Sequence, residues 1–131
     1  MRSTSAKGLA AKLRIDMSAT RFSSGEIIEA EIEVWNTGGA VWLPSGESPG
    51  AVNFGFHLKD LRTGEYTHDY GRAALGVPGG SVPPGTRKTV RVTVPTPPAG
   101  SYELTFDLVS EQVAWFASRG TEPTIFRIEI I

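Results

Sequence analysis

Tyr102, Leu104, Phe106 and Leu108 alternate with Ser101, Glu103, Thr105 and Asp107, and a period of two predicts a strand with one buried and one wet face. The same pattern recurs along the chain. Ala11, Leu13, Ile15 and Met17 alternate with Lys12, Arg14 and Asp16, and Ile28, Ala30, Ile32 and Val34 with Glu29, Glu31 and Glu33. Val52, Phe54, Phe56 and Leu58 alternate with Asn53, Gly55 and His57, and Val90, Val92 and Val94 with Thr89, Arg91 and Thr93. A last strand starts at Ile125 or Phe126, with Ile128 and Ile130 set against Arg127 and Glu129. Tyr66 to Tyr70 alternates poorly and reads as an edge strand, reached through a hairpin containing Asp60, Thr63 and Gly64. No run has the three-to-four spacing of an amphipathic helix.

Turn-formers separate these runs: Ser23 to Gly25, Asn36 to Gly39, the SGESPG segment after Pro44, and Pro95 with Pro97 and Pro98. Gly71 to Gly85 carries so many breakers that a long surface loop is expected, with a short strand at Arg72 to Leu75. About seven or eight short strands without a helix define an all-β chain, an antiparallel immunoglobulin-like β-sandwich. Tyr102, just after a Pro-Ala-Gly turn, sits where such sandwiches place a tyrosine whose hydroxyl bonds back to the preceding corner. Residues 1–8 read as a leader or linker, and residues 9–131 as a single sandwich domain.

The 131 residues suffice for one core. A net charge of −1 provides no electrostatic attraction to nucleic acid. No segment approaches a membrane span, and none has the apolar run of a signal peptide. The lack of cysteine removes disulfides, thiolate nucleophiles and sulfur-bound zinc, and fits a cytoplasmic location.

Candidate chemistry is sparse, and no catalytic set, cofactor cradle or metal site is expected. His57 and His68 fall on neighbouring strands beside Asp69, but adjacent residues on a strand face opposite ways, so both histidines read as solvent-facing polar residues. Glu29, Glu31 and Glu33 read as a charged face answered by Arg87, Lys88 and Arg91. Gly76 to Gly80 lacks the lysine and helix of a phosphate loop. The aromatics carry the remaining signal. Phe54, Phe56, Tyr102 and Phe106 belong to the core, and Trp42 beside Pro44 reads as an end plug. Trp35, Tyr66, His68, Tyr70 and Trp115 are the candidate ligand-binding residues, because exposed aromatics on a sheet stack on sugar rings or anchor a protein partner. Of the adjacent Trp115 and Phe116, one is expected in the core and the other exposed or covered, with Trp115 the outward one.

Two stretches also resemble a known group. NTGGAVWLPSG (Asn36 to Gly46) and the Pro-Gly, strand, Tyr, Phe-Asp-Leu-Val, Trp-Phe, Arg-Gly succession from Val82 to Gly120 resemble bacterial immunoglobulin-like accessory domains of surface-polysaccharide biosynthesis and export proteins. Those domains are similar to the carbohydrate-binding C-terminal domain of O-antigen ABC exporters. A weaker similarity is to the four-tryptophan domain of autophagy receptors, although this chain has three Trp. The resemblance implies a non-catalytic module that binds an oligosaccharide or polysaccharide on a sheet face, in a larger protein with a catalytic or ATPase domain. The alternative is a protein-interaction, homodimerising or spacer sandwich that binds no sugar.

Overall fold

The computed structural model describes residues 1–47, 49–75 and 80–131. Among these residues the alternating runs become nine strands: β1 Ala11–Met17, β2 Arg21–Phe22, β3 Ile28–Asn36, β4 Val52–Asp60, β5 Tyr66–Ala74, β6 Arg87–Val94, β7 Gly100–Ser110, β8 Ala114–Trp115 and β9 Thr124–Ile130. A 3-10 turn, Phe116–Arg119, follows β8 directly. The smaller sheet runs β1-β3-β6, and the larger runs β2-β9-β7-β4-β5 with β8 added to β7. All pairings between these strands are antiparallel except that of β2 with β9, a two-residue parallel contact that periodicity does not reveal. No helix among the described residues is long and apolar enough to cross a membrane.

The apolar member of each alternation faces the space between the sheets. Ile28, Ile32 and Val34 of β3 meet Phe54 and Phe56 of β4, Leu104, Phe106 and Leu108 of β7, and Ile128 of β9, all fully buried. Phe106 is edge-on to Phe56 at 5.4 Å and to Phe126 at 5.8 Å, the arrangement that aromatic quadrupoles favour. Trp42 and Phe116 close one end of this core, edge-on at 5.4 Å. Both the end plug and the inward member of the Trp115–Phe116 pair are therefore core residues.

Of residues 1–8, expected as a leader or linker, most are exposed, but Ser3 is anchored at that same end. Ser3 is fully buried, donates its hydroxyl to the Gly50 carbonyl at 2.6 Å and accepts from the Leu43 amide at 2.9 Å. Ser110 donates its hydroxyl to the Ser3 carbonyl. Gly38 makes room for the segment, since a β-carbon there would lie 2.0 Å from the Gly8 carbonyl oxygen. No apolar periodicity marks an anchor made by hydrogen bonds, so the sequence did not single out Ser3.

β5 also differs from expectation. The edge strand expected at Tyr66 to Tyr70 and the short strand expected at Arg72 to Leu75 are one continuous element, Tyr66–Ala74. Thr67 pairs with Leu58 and Gly71 with Phe56, so four steps along β5 answer two along β4. This bulge hides the alternation and leaves β5 at the sheet edge, where bulges are best tolerated. Of the Gly76 to Gly80 segment, only Gly80 is among the described residues.

Two polar side chains fix the turns that the sequence marks. Asn36, 1% exposed, donates from Nδ2 to the carbonyls of Ala40 (2.8 Å) and Val82 (2.9 Å), and its Oδ1 accepts from the Gly38 amide at 3.2 Å. Tyr102 donates its hydroxyl to the Pro98 carbonyl at 2.7 Å, the corner bond expected at this position. Asn36→Ala leaves three backbone groups without this partner, whereas Tyr102→Phe removes one bond. Urea unfolding is therefore expected to show a loss of about 2–3 kcal/mol for the first and about 1 kcal/mol for the second. Equal losses would contradict the bridging role of Asn36.

Candidate functional site

The five candidate residues do not form one site. Trp35 lies on the smaller sheet, half-buried, with Lys12 Nζ 5.6 Å and the Arg87 guanidinium 6.0 Å from its ring. Lys12 and Arg87 are its cross-strand neighbours on either side, so cations of its own sheet flank the ring. Of the expected answers to the glutamate row, two form: Arg87 pairs with Glu33 at 3.1 Å and Arg91 with Glu31 at 3.3 Å, while Lys88 lies opposite Val34. Tyr70 turns away from the outer face at the bulge. It packs against the core and donates its hydroxyl to the Pro95 carbonyl, beside a cleft of about 430 Å³ lined by Asp60, Glu65, Thr96 and Tyr102 among others.

Tyr66, His68 and Trp115 do converge, on the outer face of the larger sheet. His68 lies 4.8 Å from the Trp115 ring and 6.0 Å from Tyr66. Tyr66 is 55% exposed and His68 is exposed as well, whereas Trp115 is half-buried. Beside them runs a polar row: Arg72 donates from Nε to Glu111 Oε2 at 3.0 Å, and Arg72 also pairs with Asp69. Asn53 donates to Glu111 Oε2 at 2.9 Å, and Ser45 donates to Asn53 Oδ1 at 2.6 Å.

Below this group the sheet is not wet. His57 points outward as its parity requires, yet it is 4% exposed, because His68 stacks on it at 4.4 Å and Trp115 covers it at 4.6 Å. The reading of His57 as a solvent-facing residue is thus corrected: an added layer, β8 with its 3-10 turn, folds back over the sheet. Gly55 makes this possible. A β-carbon at Gly55 would lie 2.2 Å from Trp115 Cζ3 and 2.6 Å from Cη2, so only a bare backbone lets the indole rest there. Trp115 is half-buried and serves as the lid of its own sheet, with the Arg72 guanidinium 4.7 Å from its ring.

Asp107, which sequence reasoning passed over as one more wet-face residue, is the deepest member of the site at 1% exposure. Its Oδ2 lies 3.0 Å from His57 Nε2, and its Oδ1 accepts from the amides of Leu108 (2.7 Å) and Ala117 (3.2 Å). The other imidazole nitrogen, His57 Nδ1, meets the carbonyl oxygen of His68. Both partners of the ring are acceptors, so satisfying both nitrogens requires the imidazolium. Burial draws the pKa down, but the bonds to Asp107 and to the His68 carbonyl, with the carboxylate charge, outweigh it and hold His57 above its ordinary 6.5. Burial and the Asp107 charge also push the Tyr66 phenol up. With both nitrogens engaged and Asp69 paired to Arg72, the two histidines and Asp69 do not converge on a common point.

No protein-family model and no curated protein matches the chain. Among solved structures, the chain is similar to the CARDB domain of a Pyrococcus furiosus protein in complex with di-metal ions, with a TM-score of 0.53 and 15% identity over 92% of this chain and 87% of that one. It is also similar to β-glucosidase from Listeria innocua in complex with glucose, with a TM-score of 0.54 and 12% identity; the match covers 92% of this chain but 16% of the enzyme. At such identities the likeness concerns the fold, an immunoglobulin-like β-sandwich.

The contact between Gly55 and Trp115 makes a direct test. Gly55→Ala is expected to lift the indole, shifting Trp115 emission to longer wavelength, and to destabilise the fold by about 2 kcal/mol. An unchanged emission spectrum would contradict the packing of Trp115 on the sheet.

Proposed function

We propose that the chain is a non-catalytic accessory module that binds an oligosaccharide, of the surface-polysaccharide class, on the outer face of the larger sheet. The observation that carries this reading is the exposed Tyr66 ring, set beside His68 and a row of planar polar groups (Arg72, Asp69, Glu111, Asn53) on one face. A sugar offers an apolar ring face for stacking and hydroxyls that both donate and accept, and this face presents matching groups of both kinds. His57 and Asp107 take no part in chemistry on the ligand in this reading, because each is committed to structural partners beneath the lid.

The role assigned to each candidate follows from its position. Tyr66 stacks, while His68 and Arg72 border the ligand and Trp115 supports them. Trp35 and Tyr70 lie outside this surface, on the other sheet and beside the end cleft. As a module the domain would belong to a larger cytoplasmic protein of glycan synthesis or export, beside its catalytic or ATPase domain. The similarity to a domain-sized part of a β-glucosidase is compatible with a modular role, and the resemblance of the Asn36 and Val82 to Gly120 motifs to polysaccharide-export domains supplies the ligand class.

Titrating the isotope-labelled protein with fragments of bacterial surface glycans is expected to shift Tyr66, His68 and Arg72 resonances. Tyr66→Ala should weaken binding about tenfold, the equivalent of about 1.4 kcal/mol of stacking. Shifts confined to the smaller sheet, or none with any glycan, would instead favour a protein-interaction or spacer role.

A further inference from the structure

The group on which the outer face rests contains one buried ring between two acceptors, and its proton count decides whether both contacts can exist. We propose that His57 is a proton-operated latch: as the imidazolium it ties the β5 bulge to β7, and on losing one proton it releases the bulge on which Tyr66 and His68 are carried. Its consequence for ligand binding rests on the outer-face reading; the latch itself is a property of the free protein.

The direction of release follows from the partners. A neutral imidazole has one N–H and one lone pair. The N–H stays at Nε2, because a hydrogen bond to the Asp107 carboxylate is charge-assisted and the bond to a carbonyl is not. The Nδ1 lone pair then faces the lone pairs of the His68 carbonyl, and that contact becomes repulsive. Asp107 keeps the amides of Leu108 and Ala117 in either state, so the 3-10 turn and the Trp115 lid stay anchored on β7 while β5 is let go. The bulge is the element able to respond. It sits on the sheet edge with β4 as its one partner strand among the described residues, and it holds two residues more than the facing stretch of β4.

The charged and titratable groups around the ring fix the sign. Asp107 on β7 favours the imidazolium; Arg72 on β5 opposes it, with its own charge answered by Asp69 and Glu111. His68 stacks on the ring and Tyr66 lies 6.1 Å away, both on β5; Thr105, opposite on β7, and Trp115 on β8 carry no titrating proton in this range. The folded value lies above the unfolded 6.5, so the stabilising contribution is complete below about 6.5 and is lost as pH rises through the folded value.

Asp107→Asn provides the decisive variant. The amide can keep its oxygen toward the amides of Leu108 and Ala117 and present its NH₂ to His57 Nε2. A neutral imidazole then donates from Nδ1 to the His68 carbonyl, and every partner is satisfied without an extra proton. NMR titration of the ligand-free protein is the test. The wild type is expected to show N–H at both ring nitrogens of His57 at low pH. Its Thr67 to Gly71 resonances should then shift or broaden with a component whose midpoint lies above 6.5, in step with loss of the Nδ1 proton. In D107N those resonances should lack the component that follows the His57 Nδ1 proton. Absence of the Nδ1 proton at low pH, bulge resonances indifferent to the His57 titration, or a D107N transition like that of the wild type would each overturn the latch. If D107N does not fold, the wild-type ring nitrogens and bulge resonances decide alone. Failure of the glycan titration leaves all these readouts in place, so the two ideas fail separately.

Discussion

A carboxylate buried to 1% exposure on the outward side of a sheet is the constraint from which the functional half of this structure follows. Desolvating Asp107 costs several kcal/mol unless its oxygens are met. Three donors meet them: His57 Nε2 and the amides of Leu108 and Ala117. The Ala117 bond holds the 3-10 turn against β7, and the turn in turn sends Phe116 into the core and Trp115 across Gly55. The His57 contact reaches the opposite way, through the ring to the carbonyl of the β5 bulge. One carboxylate thus organises a lid on one side and an edge strand on the other.

The two outer faces of the sandwich differ for a corresponding reason. On the smaller sheet two exposed charge pairs form across the strands, Glu31 with Arg91 and Glu33 with Arg87, and Trp35 is flanked by Lys12 and Arg87. Its Trp35 ring already has cations on either side, and ion pairs this exposed contribute little to stability. On the larger sheet the lid stops short of Tyr66, which stays 55% exposed beside side chains that share hydrogen bonds in a row. A ligand finds there both an open ring and polar groups that can exchange one partner for another.

The scaffold was largely legible in the sequence, because a period of two reports which side chains face the core whatever the strand order. The runs through Ile28, Phe54, Val92 and Leu104 became the buried layers, and Tyr102 made its corner bond. Parity also placed His57 and Asp107 correctly, on the outward face. It failed to show that this face is covered, since a two-residue strand and a 3-10 turn have no period to detect. A signal was present nonetheless. Gly55 interrupts β4 between two buried phenylalanines, and a glycine inside a central strand marks the approach of another group. Likewise Asp107 is flanked by Phe106 and Leu108 in a central strand, where an acid between buried neighbours calls for a partner.

The bulge in β5 shows why the candidate aromatics could not be sorted from spacing alone. Tyr66, His68 and Tyr70 sit two residues apart and in a regular strand would share one face. With four steps of β5 answering two of β4, the backbone between His68 and Gly71 leaves the pleat. His68 stays outward on His57, while the Tyr70 hydroxyl reaches the Pro95 carbonyl at the corner that Tyr102 also holds, through Pro98. The carbonyl turned toward His57 is that of His68, at the start of this irregular stretch. A ladder with regular pairing would direct that oxygen to a neighbouring strand's amide. The imidazole therefore takes the place of a backbone donor, and one side chain governs both the path of the edge strand and the partition of its aromatics between the two faces.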